Sequence, residues 1–256
     1  MGAVAFSTLG IFASDTLRGI DSGANIAGVG GAGTCKEGSA PLRVEGDVIC
    51  VDLYEASPSK GCPHQQLLSA IETERNANAS GCYAASVRGA SAWTHISLPQ
   101  AQRMCAGAGK RLPTGKEWYH IALGTDPDSC VIRGNAVSLT GSVECVSSMG
   151  AYDVIGNVWE WVDETVIDGT YGGRALPEEG YVTSVDADGV AITTGKAEDE
   201  LYGEDYVWTK SEGIFGMIRG GFYSSVDDAG LYTMNASIAT SFATQGIGFR
   251  CVEDVL

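Results

Sequence analysis

Residues 156–161 read Gly-Asn-Val-Trp-Glu-Trp, and no other hexapeptide in the chain restricts the fold as strongly. Two tryptophans within three residues are too aromatic for a solvated loop, and the run is too glycine-rich for a helix. Trp159 and Trp161 alternate with Val158 and Glu160. That period of two predicts a half-buried strand whose acid faces a polar site. From Thr125 onward Gly, Asp, Ser and Asn recur and helical periodicity is scarce.

The helix signals lie upstream. Ser97 with Gln100 forms a capping box ahead of Ala101, Met104, Cys105 and Ala108, and Gly107 and Gly109 stop that helix. Thr114 with Glu117 forms a second box, followed by Trp118, Ile121 and Ala122 on one face, with Gly124 placed to terminate it. Residues 63–92 are polar, helical in pattern over 64–74 and then rich in Asn, Ala and Ser. Strands are predicted at 48–54, 217–219 and 247–252, and a hairpin turn at Asp188-Gly189. The pattern is α+β: two helices, short strands and extensive irregular loops. Residues 163–215 read as an acidic, turn-rich insertion.

The 256 residues carry 16 Lys and Arg against 32 Asp and Glu, a net charge of −16. That balance excludes nucleic acid as a partner, since phosphate neutralisation needs clustered cations, and argues against an anionic membrane face. Residues 1–40 form an apolar segment and a Gly-rich linker ahead of a domain at 41–256. The apolar part, 2–14, is too short to span a bilayer and lacks the basic start of a signal peptide. It reads as the remnant of a secretion or pilin-like helix, or as an N-terminal helix. Membrane association is expected only through such an N-terminal anchor. The chain is expected to be a monomer.

Several motif matches fail on context. Gly28 to Gly33 fits G-x-G-x-x-G, but no buried strand precedes it and no helix follows. Gly115-Lys116 lacks the rest of a phosphate loop, and Asp186-x-Asp188-Gly189 has its glycine too early for a calcium-binding helix-loop-helix. His64, His95 and His120 show no metalloprotease spacing. The eight cysteines include no C-x-x-C pair, which disfavours zinc ribbons and thioredoxin-like motifs. Their even number fits disulfides in an oxidising compartment, hence an extracellular or cell-surface location. Buried free thiols are the alternative.

Three segments stand together: Gly109–Trp118 (GKRLPTGKEW), Gly150–Trp161 (GAYDVIGNVWEW), and Ile218–Gly221 (IRGG) with Ile247–Cys251 (IGFRC). In order, spacing and wording they resemble the formylglycine-generating enzyme (sulfatase-modifying factor) family over residues 45–254. The resemblance implies the variant of the C-type lectin fold found in that family. It also implies a structural calcium ion beside the Gly-Asn-x-Trp-Glu-Trp loop, held by the side chains of Asp153 and Glu160 and the carbonyls of Gly156 and Val158. A turn held by hydrogen bonds alone is the alternative. The family pairing implies a Cys105–Cys251 disulfide. Cys130–Cys145 is a local guess across one loop, and Cys35–Cys50 and Cys62–Cys82 are further guesses of that kind. Catalytic members bind copper(I) through two cysteines upstream of the G-F-R-C end. The matching stretch here, Val226–Tyr232 (VDDAGLY), contains no cysteine, so neither copper nor formylglycine-type catalysis is expected.

Gly221 to Gly246 is 26 residues with no Lys, Arg, Glu or His, although 19% of the chain is charged. At that frequency about five charged residues belong there, and only Asp227 and Asp228 occur. The other fillers are Phe222, Tyr223, Ser224, Ser225, Tyr232, Asn235, Ser237, Ile238, Ser241, Phe242 and Thr244. Rings give contact area at low entropic cost, and small polar side chains give adaptable hydrogen bonds, the mixture found in binding loops. A buried loop-rich core segment is the bland alternative. The frame R-G-G, A-G-x-x and I-G-F-R-C around such fillers resembles the variable region of proteins diversified by diversity-generating retroelements. Tyr223 stands where Trp is usual, and Met234 and Gln245 must be fixed positions. The expected function is a non-catalytic display protein whose variable-type segment 222–244 binds a protein or surface ligand specific to each variant. The alternatives are an oxidase- or oxygenase-type relative with a non-copper mechanism, and a structural surface subunit.

Overall fold

The computed structural model describes residues 35–66 and 69–255. The apolar N-terminal segment, most of the linker and the G-x-G-x-x-G match lie outside the described residues. In chain order the elements are β1 (Ser39–Val44), β2 (Asp47–Asp52), β3 (Ala56–Pro58), α1 (Ala70–Ala77), β4 (Ala84–Ser86), α2 (Leu98–Gly107) and α3 (Gly115–Ala122). There follow β5 (Trp159–Ile167), β6 (Thr170–Tyr171), β7 (Arg174–Ala175), β8 (Gly180–Val185), β9 (Ala191–Gly195) and β10 (Tyr206–Trp208). The last are β11 (Ile214–Arg219), β12 (Met234–Ile238), β13 (Ile247–Phe249) and β14 (Val252–Asp254). Because β1 starts at Ser39, a domain boundary at 40/41 cuts a strand.

The two capping boxes start α2 and α3. The Gln100 carboxamide accepts the Ser97 N–H at 2.9 Å, and Thr114 and Glu117 exchange bonds at 3.1 and 2.8 Å. The helix count rises from two to three, because Ser69 caps α1 by accepting the Glu72 N–H. The predicted helical run from residue 64 begins only at Ala70. The Asn76 side chain grips the backbone of His64 from both sides, at 2.9 and 2.7 Å, and so holds His64 outside the helix.

The main sheet runs β7-β6-β5-β11-β12-β10-β8-β9, and β13 pairs with β5 in parallel. β1, β2 and β14 form a second sheet, and β3 with β4 a third. One face of the main sheet carries Val162, Val182, Val207, Met217, Met234 and Ala236 against Trp118, Ile121 and Ala122 of α3. Its other face carries Trp159, Trp161 and Ile218, which pack with Trp93, Phe249 and Leu98, Ala101 and Met104 of α2. Residues Trp159–Val162 are all buried, so this strand is not half-exposed as predicted; the protein covers both of its faces.

The acidic insertion is narrower and more ordered than its composition suggests. β5 and β11 pair with each other as far out as Ile167 and Ile214, which leaves 168–213 as the inserted stretch. It adds β6 to β10 to the sheet, with the Asp188-Gly189 hairpin joining β8 to β9. β10 lies parallel to β12, pairing Val207 with Met234 and Trp208 with Asn235. All eight cysteines are paired, as Cys35–Cys50, Cys62–Cys82, Cys105–Cys251 and Cys130–Cys145.

Candidate ligand-binding site

A buried polar centre fixes the frame of the site. Glu160 and Arg250 are fully buried and joined by three contacts of 2.6 to 2.9 Å, and the Trp118 Nε1–H donates to Glu160 Oε2 at 2.8 Å. Arg250 also donates to the carbonyls of Asp52 and Tyr152, at 3.1 and 2.7 Å, tying β2 and the 150s loop to the C-terminal strands. Asp153 accepts the Gly141 N–H at 2.6 Å, and burial pushes its carboxyl up to about 6. Glu55, fully buried, accepts from the Asn157 Nδ2–H at 2.6 Å and leaves Oε1 without a partner. Burial raises the Glu55 carboxyl well above the usual range, and the charges of Asp153 and Glu160 add to the effect.

This geometry corrects the expected calcium ligands. Both oxygens of Glu160 are committed to a guanidinium that already neutralises them, so the side chain has no lone pair directed at a metal. Among the described residues no group of three or more His, Cys, Asp or Glu is arranged to hold an ion. Glu160 therefore does not fit as a calcium ligand here. The loop is held by an ion pair and hydrogen bonds.

The segment between the fixed ends is sorted residue by residue. Phe222, Tyr223, Ser225, Asp228, Tyr232, Asn235, Ser237, Ile238 and Thr244 are half-buried, and Ser224, Ser241 and Phe242 are exposed, Phe242 at 48%. Between them Gly221, Ala229, Gly230, Thr233, Met234, Ala236 and Gly246 are buried. The frame glycines are forced by contact. Gly220 has φ +89°, and a Cβ there would lie 2.5 Å from the Val154 carbonyl oxygen and 2.8 Å from the Trp118 ring.

Six of the candidates, Phe222, Tyr223, Asn235, Ile238, Phe242 and Thr244, line a cavity of about 240 Å³. Its floor is supplied by Trp159, Ile218, Gly246 and Ile247, which sequence reasoning assigned to the frame. The alternation within β5 and β11 was the signal that would have placed Trp159 and Ile218 on this face. The remaining candidates sit elsewhere. Ser225 Oγ accepts the Phe222 N–H at 3.0 Å, Ser237 donates to Asn235 Oδ1 at 2.9 Å, and Asp227 and Asp228 belong to a single helical turn at Val226–Asp228. The Tyr232 ring packs against Tyr119 and Tyr202, with centroids at 6.2 and 5.6 Å, outside the cavity.

The insertion reaches this segment through Asp205. Its carboxylate accepts the Tyr232 N–H and, at 2.9 Å, the Thr233 hydroxyl, and burial pushes its pKa up to about 7 against those bonds. A carboxyl that ionises near 3.8 when unfolded and near 7 when folded keeps its proton longer in the folded state. Stability should thus fall as pH rises from about 4 to 7, with Asp153 acting in the same direction over the lower part of that window. Glu55 and Glu164, also raised, act in the same direction, and the lowered carboxyls of Glu117, Asp186 and Asp254 act in the opposite one. Thermal midpoints across this range should decline in the wild type and flatten in Asp205→Asn; an unchanged slope in the variant would refute the assignment.

Three helices braced on a twisted mixed sheet, with long loops carrying the exposed segment, define an α+β domain of the C-type lectin kind. The sulfatase-modifying factor enzyme 1-like domain matches residues 128–255, half of the chain. The chain belongs to that family, and its fold is the formylglycine-generating enzyme type of the C-type lectin fold. It is similar to the inactive C-alpha-formylglycine-generating enzyme 2 of Bos taurus, 30% identical over 26% of this chain and 31% of that one. Among solved structures it is similar to the Major Tropism Determinant U1 variant, at 17% identity and a TM-score of 0.48 over 88% of this chain and 55% of the other. It is also similar to PvdO from Pseudomonas aeruginosa, at 14% identity and a TM-score of 0.47 over 86% and 100% of the two chains. Treponema denticola variable protein 1 matches at 12% identity and a TM-score of 0.42 over 84% and 99%. The chain spans about a third of the curated relative's length and about half that of the Major Tropism Determinant.

Proposed function

We propose that the chain is a non-catalytic display protein whose segment 222–244 binds a protein or other surface ligand, and that this segment is diversified by a retroelement. The observation that carries the reading is the burial pattern. All twelve candidate residues whose side chains are described reach solvent, and Ala229, Gly230, Thr233, Met234 and Ala236 between them are buried. A core segment would show the reverse. Such a division lets contact residues change while the frame stays fixed.

The non-catalytic part of the reading rests on the cavity lining. It is formed by Trp, Ile, Phe, Tyr, Asn, Thr and Gly, a set with no carboxylate, imidazole or amine to move a proton. All eight cysteines are held in disulfides, so none offers the thiolate that copper(I) requires. Four disulfides point to an oxidising compartment, and no described helix is long and apolar enough to cross a membrane. An extracellular or cell-surface location follows from the proposal.

Sequencing this gene from many cells of one population tests the reading. Substitutions should cluster at the codons of the exposed and half-buried residues of 222–244 and spare Gly230, Met234 and Ala236. Variation spread evenly along the chain, or confined to other codons, would overturn it.

A further inference from the structure

The binding face does not stop at the edge of the variable-type segment. Trp208 pairs with Asn235 across β10 and β12, Asn235 pairs with Ile218, and Tyr206 pairs with Tyr181 across β10 and β8. Paired residues project from the same side of a sheet, as do residues two apart in one strand. Trp159, Ile218, Asn235, Trp208, Tyr206 and Tyr181 therefore share one face. Their rings form a ladder that leaves the cavity and crosses onto the inserted strands. The Trp159 and Trp208 centroids are 5.9 Å apart, Trp208 and Tyr206 4.7 Å, and Tyr206 and Tyr181 5.1 Å with nearly perpendicular planes. Trp208, Tyr206 and Tyr181 are all half-buried, so each presents part of a ring to solvent.

The rim of this ladder is acidic. Glu179 and Glu198 are exposed, and Glu198 Oε1 accepts the Tyr181 hydroxyl at 3.2 Å. Burial raises both phenols above their ordinary range, and negative charge adds to it, from Glu198 and Asp228 at Tyr181 and from Glu179 and Asp228 at Tyr206. Neither the ladder nor the cavity lining contains Lys or Arg. Ring faces at close spacing attract cations through the aromatic quadrupole, and carboxylates at the edge strengthen that attraction.

We infer that the ladder Tyr181–Tyr206–Trp208 is a cation-binding extension of the candidate site, which takes the arginine or lysine side chains of a basic polypeptide partner. The inference rests on the reading of this sheet face as a binding face but not on the segment being diversified. It gives the inserted strands a role in recognition. The ladder residues lie outside 222–244, so their contact chemistry does not depend on that segment.

The test is calorimetric titration of the intact, disulfide-bonded chain with a peptide of about twelve residues alternating Arg and Gly. The matched peptide of Glu and Gly is the control, at about 0.15 M salt, where long-range attraction is screened. The Arg peptide should bind saturably and the Glu peptide should not. Tyr181→Ser with Tyr206→Ser should weaken binding about tenfold, the loss expected for two partly exposed cation–π contacts. Glu179→Gln with Glu198→Gln provides a second variant with no ring removed and should also weaken it. Equal affinity in both variants, each melting like the wild type, would show general attraction to an acidic protein and overturn the proposal. Failure of the Arg peptide to bind, or equal binding of the Glu peptide, would overturn it too. If Phe242→Ala alone abolishes binding while the ladder variants retain it, the binding face stands and the ladder is excluded from it.

Discussion

Replacing Glu160 by leucine should cost about 3–5 kcal/mol of folding stability. Arg250 is fully buried and makes three contacts to that carboxylate. Without Glu160 its charge would be left among carbonyls, and the Trp118 Nε1–H would lose its acceptor as well. Arg250→Leu should be costly for the mirror reason, since Glu160 lies near the raised carboxyls of Asp153 and Glu55. The double variant Glu160→Leu, Arg250→Leu is the informative one. Removing both charges together is often close to neutral, because the desolvation penalty disappears with the attraction. Urea titration of the four proteins would measure this. A single variant within 1 kcal/mol of wild type, or a double variant that merely sums the two losses, would refute the assignment of this pair as the fastening of the site's frame.

The second large effect concerns Cys105 and Cys251, which are 146 residues apart in sequence. A cross-link over that distance removes denatured-state freedom worth about 5 kcal/mol in the chain-entropy model. It joins α2 to the residue that precedes β14, so it also holds together the cluster containing Trp161 and Phe249. Replacing both cysteines by alanine should lower the urea midpoint by more than removing Cys130–Cys145, which closes a separation of 15. The reverse order would mean that native-state packing, and not loop closure, dominates.

The sequence made the disulfide framework and the frame of the site legible to different depths. The capping boxes at Ser97 and Thr114 are local chemistry, readable from four residues, and they placed α2 and α3 correctly. The Ser69 cap is equally local, but it was obscured by a polar run whose helical pattern begins six residues too early. The G-F-R-C and G-N-V-W-E-W segments identified the fold, yet the partner of Glu160 could not be read from them. Arg250 lies 90 positions away, and only the parallel pairing of β13 with β5 brings the two together. Composition misled most in the insertion. Single buried residues such as Val182 and Val207, each flanked by half-exposed tyrosine, tryptophan or threonine in an acidic stretch, are too short a signal for sheet strands. For the candidate site, residue type picked out Ser224, Ser241 and Phe242, which are exposed, but passed over the exposed Val226 and Ala239 and gave no means of separating Tyr232 from Phe242.

The position of β12 inside the sheet bears on how this protein can change over time. The strand is hydrogen-bonded on both sides, to β11 and β10, and its bulge between Asn235 and Ile238 fixes which residues face outward. One added or deleted residue would exchange the inward methionine and alanine with the outward asparagine and isoleucine. The reading frame of this segment is thus as constrained as its identities are free. Relatives built on the same plan should differ there by base substitution at constant length, and gaps in their alignment should fall in the loops at 224–231 and 239–245.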